Sequence, residues 1–182
     1  MPAKELSKED RKVQVINVLN KARSMELRAI TQYMNQHYGL SEQDYGELAA
    51  KIKRISIDEM RHAEMFAERI KDLGGEPTSD PDGSITKGQD VHDVFYFDAN
   101  LEDNTIDEYN KFLLTCRECG DSVSMKLFER IIDEEQSHYL YFDNVSTHIK
   151  NLGDTYLSKI AGTSSSIGET TKGFVASEGA AD

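Results

Sequence analysis

No apolar run in this 182-residue chain is long enough to cross a bilayer, so no membrane span is expected. Cysteine is nearly absent. Cys116 and Cys119 alone cannot build a framework of disulfides, which agrees with a reducing compartment. Their Cys-x-x-Cys spacing could suggest redox chemistry or half a zinc site. No second pair exists and no strand precedes this one, so they read as two ordinary thiols. Basic side chains are also scarce, with 21 Lys and Arg against 33 Asp and Glu and a formal net charge of −12. Such a surface repels nucleic acid and anionic membranes, and no Lys/Arg-rich tail rescues that binding. It attracts cations, although solubility accounts for the charge equally well. The polar opening, Met-Pro-Ala-Lys-Glu-Leu-Ser-Lys-Glu-Asp, lacks the apolar core of a secretory signal, so a cytoplasmic protein is expected.

Helix signals dominate what is present. Ser7 with Asp10, and Ser41 with Asp44, form capping-box starts, and Gly74-Gly75 and Gly120 look like stops. The pattern predicts an all-α chain with long helices over 7–38, 42–73, 98–118 and 121–151, and a short fifth helix over 153–161. The first and second pairs are each joined by a few residues and should form antiparallel hairpins. From Gly74 to about Asp98 periodicity fades. An extended connection of that length reaches on the order of 80 Å, whereas a helix of about 30 residues is about 45 Å long. The connection can therefore run the length of a four-helix bundle, as one long crossover between helices 2 and 3. Residues 1–161 make one domain on this reading. The Ser, Thr, Gly and Ala-rich segment 162–182 is expected to be a flexible tail outside the core.

The most informative pattern is a repeat. Glu26 is followed 33 positions later by Glu59, with His62 three further on. Glu102 is followed 33 positions later by Glu135, with His138 three further on. One Glu-x-x-His is commonplace and reads as a solvated glutamate beside a packed histidine. Two matched sets look like one helical hairpin used twice. Each glutamate also lies within an apolar stripe: Val15, Leu19, Ala22, Ile30 and Tyr33 around Glu26, and Ile52, Ile55, Ala63 and Phe66 around Glu59. Phe95, Ile106, Tyr109 and Leu113 surround Glu102, and Phe128, Ile131, Tyr139 and Phe142 surround Glu135. Buried anions are costly unless paired or bound to metal, and no Lys or Arg occupies those offsets. Four carboxylates and two imidazoles suit two divalent ions, iron first, with manganese and zinc able to compete. Spacing assigns Glu59 and Glu135 as bridging ligands, Glu26 and Glu102 as terminal ones, and His62 and His138 as one imidazole per metal. Metals about 3.5–4 Å apart could take up O2 or peroxide and give one electron each. Tyr33 and Tyr109, both at offset +7, could donate to ligand carboxylates on the facing helix or simply pack in the core. Asp58 and Glu134 are candidates to orient the histidine of the opposite hairpin.

At these residues the chain resembles the ferritin-like di-iron superfamily, and more narrowly the bacterioferritins. The segments Met25-Glu26-Leu27-Arg28-Ala29-Ile30-Thr31-Gln32-Tyr33, Ser56-Ile57-Asp58-Glu59-Met60-Arg61-His62-Ala63-Glu64 and Asp133-Glu134-Glu135-Gln136-Ser137-His138 carry the likeness, which spans roughly residues 8–160. The stretch Gln-Tyr-Met-Asn-Gln-His-Tyr looks most similar to bacterioferritins of anaerobic, sulfate-reducing bacteria. The resemblance implies iron storage in a 24-subunit shell built from dimers, with Fe(II) oxidised by O2 or H2O2 at a dinuclear ferroxidase centre. It also implies haem, or a related iron porphyrin, on the two-fold axis between paired subunits, held by one methionine from each. The matching position is Met60, with Leu27, Thr31 and Met34 as pocket neighbours. From its position alone Met60 reads as an interface residue, projecting about 100° away from the metal face. A ferredoxin- or rubredoxin-type electron donor is a further implied partner. One departure stands out: Arg54 occupies a position where the family often has a histidine serving an inner-surface iron site.

Two other readings compete. A rubrerythrin-like peroxidase without storage would use the same bundle but usually adds a second Cys-x-x-Cys module, which this chain lacks. A DNA-protecting mini-ferritin is disfavoured by the charge and by a ligand set supplied from one chain.

Overall fold

The computed structural model describes residues 7–169 and 171–179. Met1–Leu6, most of the polar opening, lie outside the described residues, as do Thr170 and residues 180–182.

Four long helices form the bundle: α1 (Lys8–Glu42), α2 (Gly46–Asp72), α3 (Val91–Glu118) and α4 (Ser122–Leu152). Two short ones follow, α5 (Asp154–Ile160) and α6 (Phe174–Glu178). The capping box at Ser7 is present, with the Ser7 hydroxyl accepting from the Asp10 amide at 3.1 Å. The expected box at Ser41 is not. Leu40 continues the buried stripe of α1, so the helix runs through Ser41 to Glu42. The chain turns at Gln43-Asp44-Tyr45, with Asp44 in the left-handed region. Helix α3 begins seven residues before the expected Asp98, because Asp90 caps its first turn and Val91, Val94 and Phe95 are already buried on the helical period.

Side-chain pairings fix the topology. Glu26 meets Tyr109 while Tyr33 meets Glu102, so α1 and α3 are antiparallel. His62 meets Glu134 while His138 meets Asp58, so α2 and α4 are antiparallel too. With α1–α2 and α3–α4 as hairpins, α2 and α3 must run the same way, and only a connection spanning the bundle can join them. Residues 73–90 do this while bound in register along α1. The Thr78 amide donates to Asn20 at 2.7 Å, the Asp82 amide to the Ser24 carbonyl at 2.9 Å, and the Thr86 amide to Gln32 at 2.8 Å.

The core divides into two apolar layers. One contains Leu40, Leu48, Ile52, Ile55, Phe95 and Phe142; the other Leu19, Ala22, Phe66, Ile70, Phe128 and Ile131. The four glutamates sit between them. Ile30, Ile106, Leu113 and Tyr139, expected on the buried stripe, are only half-buried at its edge.

The segment after Ala161 departs from expectation. It was expected to stand outside the core, but its described part is laid along the bundle. The Gly162 amide donates to the Asp44 carbonyl at 2.9 Å, and Thr163 caps α2 by accepting from the Glu47 amide at 2.8 Å. Phe174 is buried against α2 and α4 as part of the core. Composition hid this, because a single Phe-Val pair anchors an otherwise small and polar stretch.

Candidate metal centre

Each long helix delivers one glutamate to the bundle axis, and α2 and α4 add a histidine one turn later on the same face. All six side chains are essentially inaccessible to solvent. His62 Nδ1 lies 3.0 Å from Glu59 Oε2, 3.0 Å from Glu135 Oε1 and 3.8 Å from Glu26 Oε1. His138 Nδ1 lies 3.1 Å from Glu59 Oε1 and 3.1 Å from Glu135 Oε2. Glu59 and Glu135 thus each turn one oxygen to one imidazole and the other oxygen to the second. Two clusters result, Glu26, Glu59, His62 and Glu135, and Glu59, Glu102, Glu135 and His138, each with its ligand atoms within 4.8 Å of one another.

The surroundings orient these groups. His62 Nε2 faces Glu134 at 3.3 Å and His138 Nε2 faces Asp58 at 3.4 Å. A carboxylate at Nε2 holds the proton there and leaves the Nδ1 lone pair free to ligate. The Tyr109 hydroxyl donates to Glu26 at 2.5 Å, and the Tyr33 hydroxyl donates to Glu102. The tyrosines are therefore hydrogen-bond donors to carboxylates, not packing residues alone.

Electrostatics show what the pocket requires. Burial, reinforced by the charges of Glu135 and Glu59, pushes Glu26 and Glu102 well above the usual carboxylate range. Burial works against charge on both imidazoles too, yet Glu135 beside His62 and Glu59 beside His138 raise them well above the usual histidine value. Among the described residues no Lys or Arg forms an ion pair with the four glutamates. Glu59 Oε1 and Glu135 Oε1 are buried, and each meets its imidazole without an aligned hydrogen bond. Two divalent cations would satisfy those oxygens and neutralise the cluster, so the donor set fits a metal pair.

Other expected residues lie elsewhere. Met60 is 49% exposed, on the outside of the bundle. Cys116 and Cys119 are free thiols, and burial pushes the Cys116 thiol up to about 12, which makes it a poor nucleophile. A cavity of about 30 Å³ reaches Glu26 and Glu102 from the α1–α3 side, bounded by Met25, Arg28, Asn104 and Asp82 of the crossover. Sequence reasoning missed Asp82, and it missed Val175, whose amide donates to Asp58 at 3.0 Å. Neither carries a local signal, since both arrive from distant segments.

A ferritin-like domain matches residues 16–152. The bacterioferritin of Desulfovibrio desulfuricans is 61% identical over 97% of this chain and 98% of its own length. That of Mycobacterium tuberculosis is 33% identical over 79% and 91%. The X-ray structure of the Desulfovibrio desulfuricans protein, described with its di-iron site in different catalytic states, covers 93% of this chain and 99% of its own with a TM-score of 0.90. No described helix is long and apolar enough to cross a membrane. A four-helix bundle with one long crossover, a buried carboxylate–imidazole cluster on its axis and these relatives together establish that the chain belongs to the bacterioferritins.

Proposed function

We propose that Glu26 and His62 hold one iron ion, Glu102 and His138 a second, and that Glu59 and Glu135 bridge them. One observation carries this: both bridging glutamates divide their two oxygens between the two imidazole Nδ1 atoms. Iron storage with oxidation of Fe(II) is the function of the family. Bound there, two iron ions would supply the redox chemistry, each giving up one electron to O2 or H2O2. The chain's own residues prepare it. Tyr33 and Tyr109 fix the terminal carboxylates, Asp58 and Glu134 keep each imidazole proton on Nε2, and the two apolar layers exclude water. Fe(II) as substrate enters past Asp82 and Asn104, through the cavity that ends at Glu26 and Glu102.

The remaining parts of the proposal rest on family membership. They are a 24-subunit shell, a ferredoxin- or rubredoxin-type donor that reduces the stored mineral, and a cytoplasmic location, which two free thiols suit. They also include haem at the subunit pair, with Met60 as axial ligand. Met60's exposure on α2, with Leu27 and Met34 half-buried on α1, suits a ligand to a group held between two subunits.

Aerobic Fe(II) oxidation by the Glu59→Ala, Glu135→Ala double variant tests the centre. Oxidation near the uncatalysed rate is expected, and retention of the parent rate would overturn the assignment. Light scattering across a sizing column should give about 490 kDa, 24 times the 20.5 kDa subunit, with porphyrin absorbance under the peak. An unchanged Soret band after Met60→Leu would exclude that axial ligand.

A further inference from the structure

The reciprocal pairing of helices makes the two metal positions near-equivalent, and the C-terminal segment removes that equivalence. On one side His62 Nε2 leans on Glu134, whose side chain is 22% exposed and whose other partner is the exposed Arg130 at 3.3 Å. On the other, His138 Nε2 leans on Asp58, whose side chain is only 2% exposed. Asp58 is one methylene shorter than Glu134, and residues 171–175 lie in the space this opens. The Val175 amide donates to Asp58 Oδ2 at 3.0 Å, and Arg61 reaches Asp58 Oδ1 at 3.3 Å. The Phe174 ring stands 6.0 Å from the His138 ring and 5.0 Å from Tyr141, centroid to centroid. Gly173 passes so close that a Cβ there would lie 1.7 Å from Asp58 Oδ1.

Basic side chains of α2 hold the segment down. Arg54 reaches the Lys172 carbonyl at 3.3 Å and the Ile167 carbonyl at 3.5 Å, Arg61 reaches the Thr171 carbonyl at 2.5 Å, and Lys51 pairs with Glu178. Arg54, the residue that departs from the family's inner-surface histidine, is thus used to bind the chain's own tail.

We propose that residues 171–178 are a latch over one metal position, so that the ion held by Glu102 and His138 is retained while the ion held by Glu26 and His62 exchanges. This rests on the assignment of the six side chains as a metal pair. The α1–α3 cavity ends at Glu26 and Glu102 alike and so does not distinguish the two ions; on the α2–α4 face an ion leaves only when its histidine swings outward. Phe174 blocks that swing for His138, and the Val175 amide fixes the Asp58 carboxylate that anchors it. Nothing in the described tail covers Glu134 in the same way, so His62 is the free gate. Phe174 and Val175 act as positioning residues, through Asp58 and His138, and touch no metal.

The test loads full-length protein with zinc(II), crystallises it, soaks the crystals in EDTA for graded times and reads zinc occupancy at each position by anomalous scattering. In the parent, the Glu26/His62 position should empty first. In Phe174→Ala, and separately in Gly173→Ala, retention at the Glu102/His138 position should shorten by about 10-fold, the cost of losing a partner behind a ligating histidine, with the other position unchanged. Equal loss from both positions in the parent, or the parent order persisting in both variants, would overturn the latch. Zinc at neither position in the parent would instead overturn the metal centre, and the latch with it.

Discussion

Replacing Glu59 and Glu135 together with methionine should stabilise the metal-free protein while abolishing its response to metal. Both glutamates are fully buried, and one oxygen of each meets an imidazole without an aligned hydrogen bond. An unsatisfied buried polar atom costs about 1–3 kcal/mol, so removing two, less the imidazole contacts that go with them, should gain about 2 kcal/mol. Methionine is close to glutamate in length and fills the space without a charge. His62 and His138 lose the inner carboxylates that raised them and keep Glu134 and Asp58, so in the variant burial favours neutral imidazoles with the proton on Nε2. For a chain of this size about 2–4 °C of melting temperature accompanies each kcal/mol, which gives a rise of about 4–8 °C for the metal-free variant. The order should invert with metal, because an ion at 1,000 times its Kd adds about 4 kcal/mol to the parent. Scanning calorimetry at one protein concentration, in EDTA and then in zinc(II), reads both effects. A metal-free variant that melts below the parent would refute the claim that the carboxylates are held at a cost. A variant whose melting still rises with zinc as the parent's does would refute their role as bridges.

Three further outcomes follow from the fold. Phe128→Ala should cost about 3–5 kcal/mol in denaturant unfolding, since its fully buried ring packs on Phe66 and Tyr109 at 5.2 and 5.6 Å, centroid to centroid. Asp98 is buried, which raises its carboxyl well above the usual range against a hydrogen bond from Gln36. The fold therefore favours its neutral form. The parent should lose stability as pH rises from the ordinary carboxylate range toward that raised value, while Asp98→Asn should not; parallel stability curves across pH would contradict this. Asp121 caps α4 and binds Arg69 with both oxygens at 2.9 Å. Partial burial raises its carboxyl, but hydrogen bonds from Ser124 and Arg69 outweigh that and hold it below the usual range. Its contribution should be present above the ordinary carboxylate range and fade as pH falls. Asp121→Ala should cost about 1–2 kcal/mol at neutral pH from the cap alone, as read by thermal unfolding.

The clustering of the four glutamates and two histidines was legible because it is written into helical periodicity. A glutamate amid apolar residues at offsets of four and seven, and a histidine three positions on, are local facts that any amphipathic helix must honour. The equal spacing of 33 in both halves made the pairing of hairpins readable as well. Boundaries were less legible. Ser41 and Asp44 look like a cap in sequence, but buried Leu40 outweighed them, and α1 runs on. Asp90 was a cap signal that the weak periodicity of the crossover concealed.

What the sequence determined by itself is therefore the chemistry: four carboxylates and two imidazoles on apolar faces, with no Lys or Arg at those offsets, a donor set that suits a metal pair. The tertiary structure alone decided how the two halves differ. Asp58 and Glu134 occupy equivalent places in the repeat, yet one is sealed by residues more than a hundred positions away and the other faces solvent. No local pattern encodes that distinction. It depends on a short Phe-Val anchor finding a gap one methylene wide, and such a fit exists only once the four helices have met.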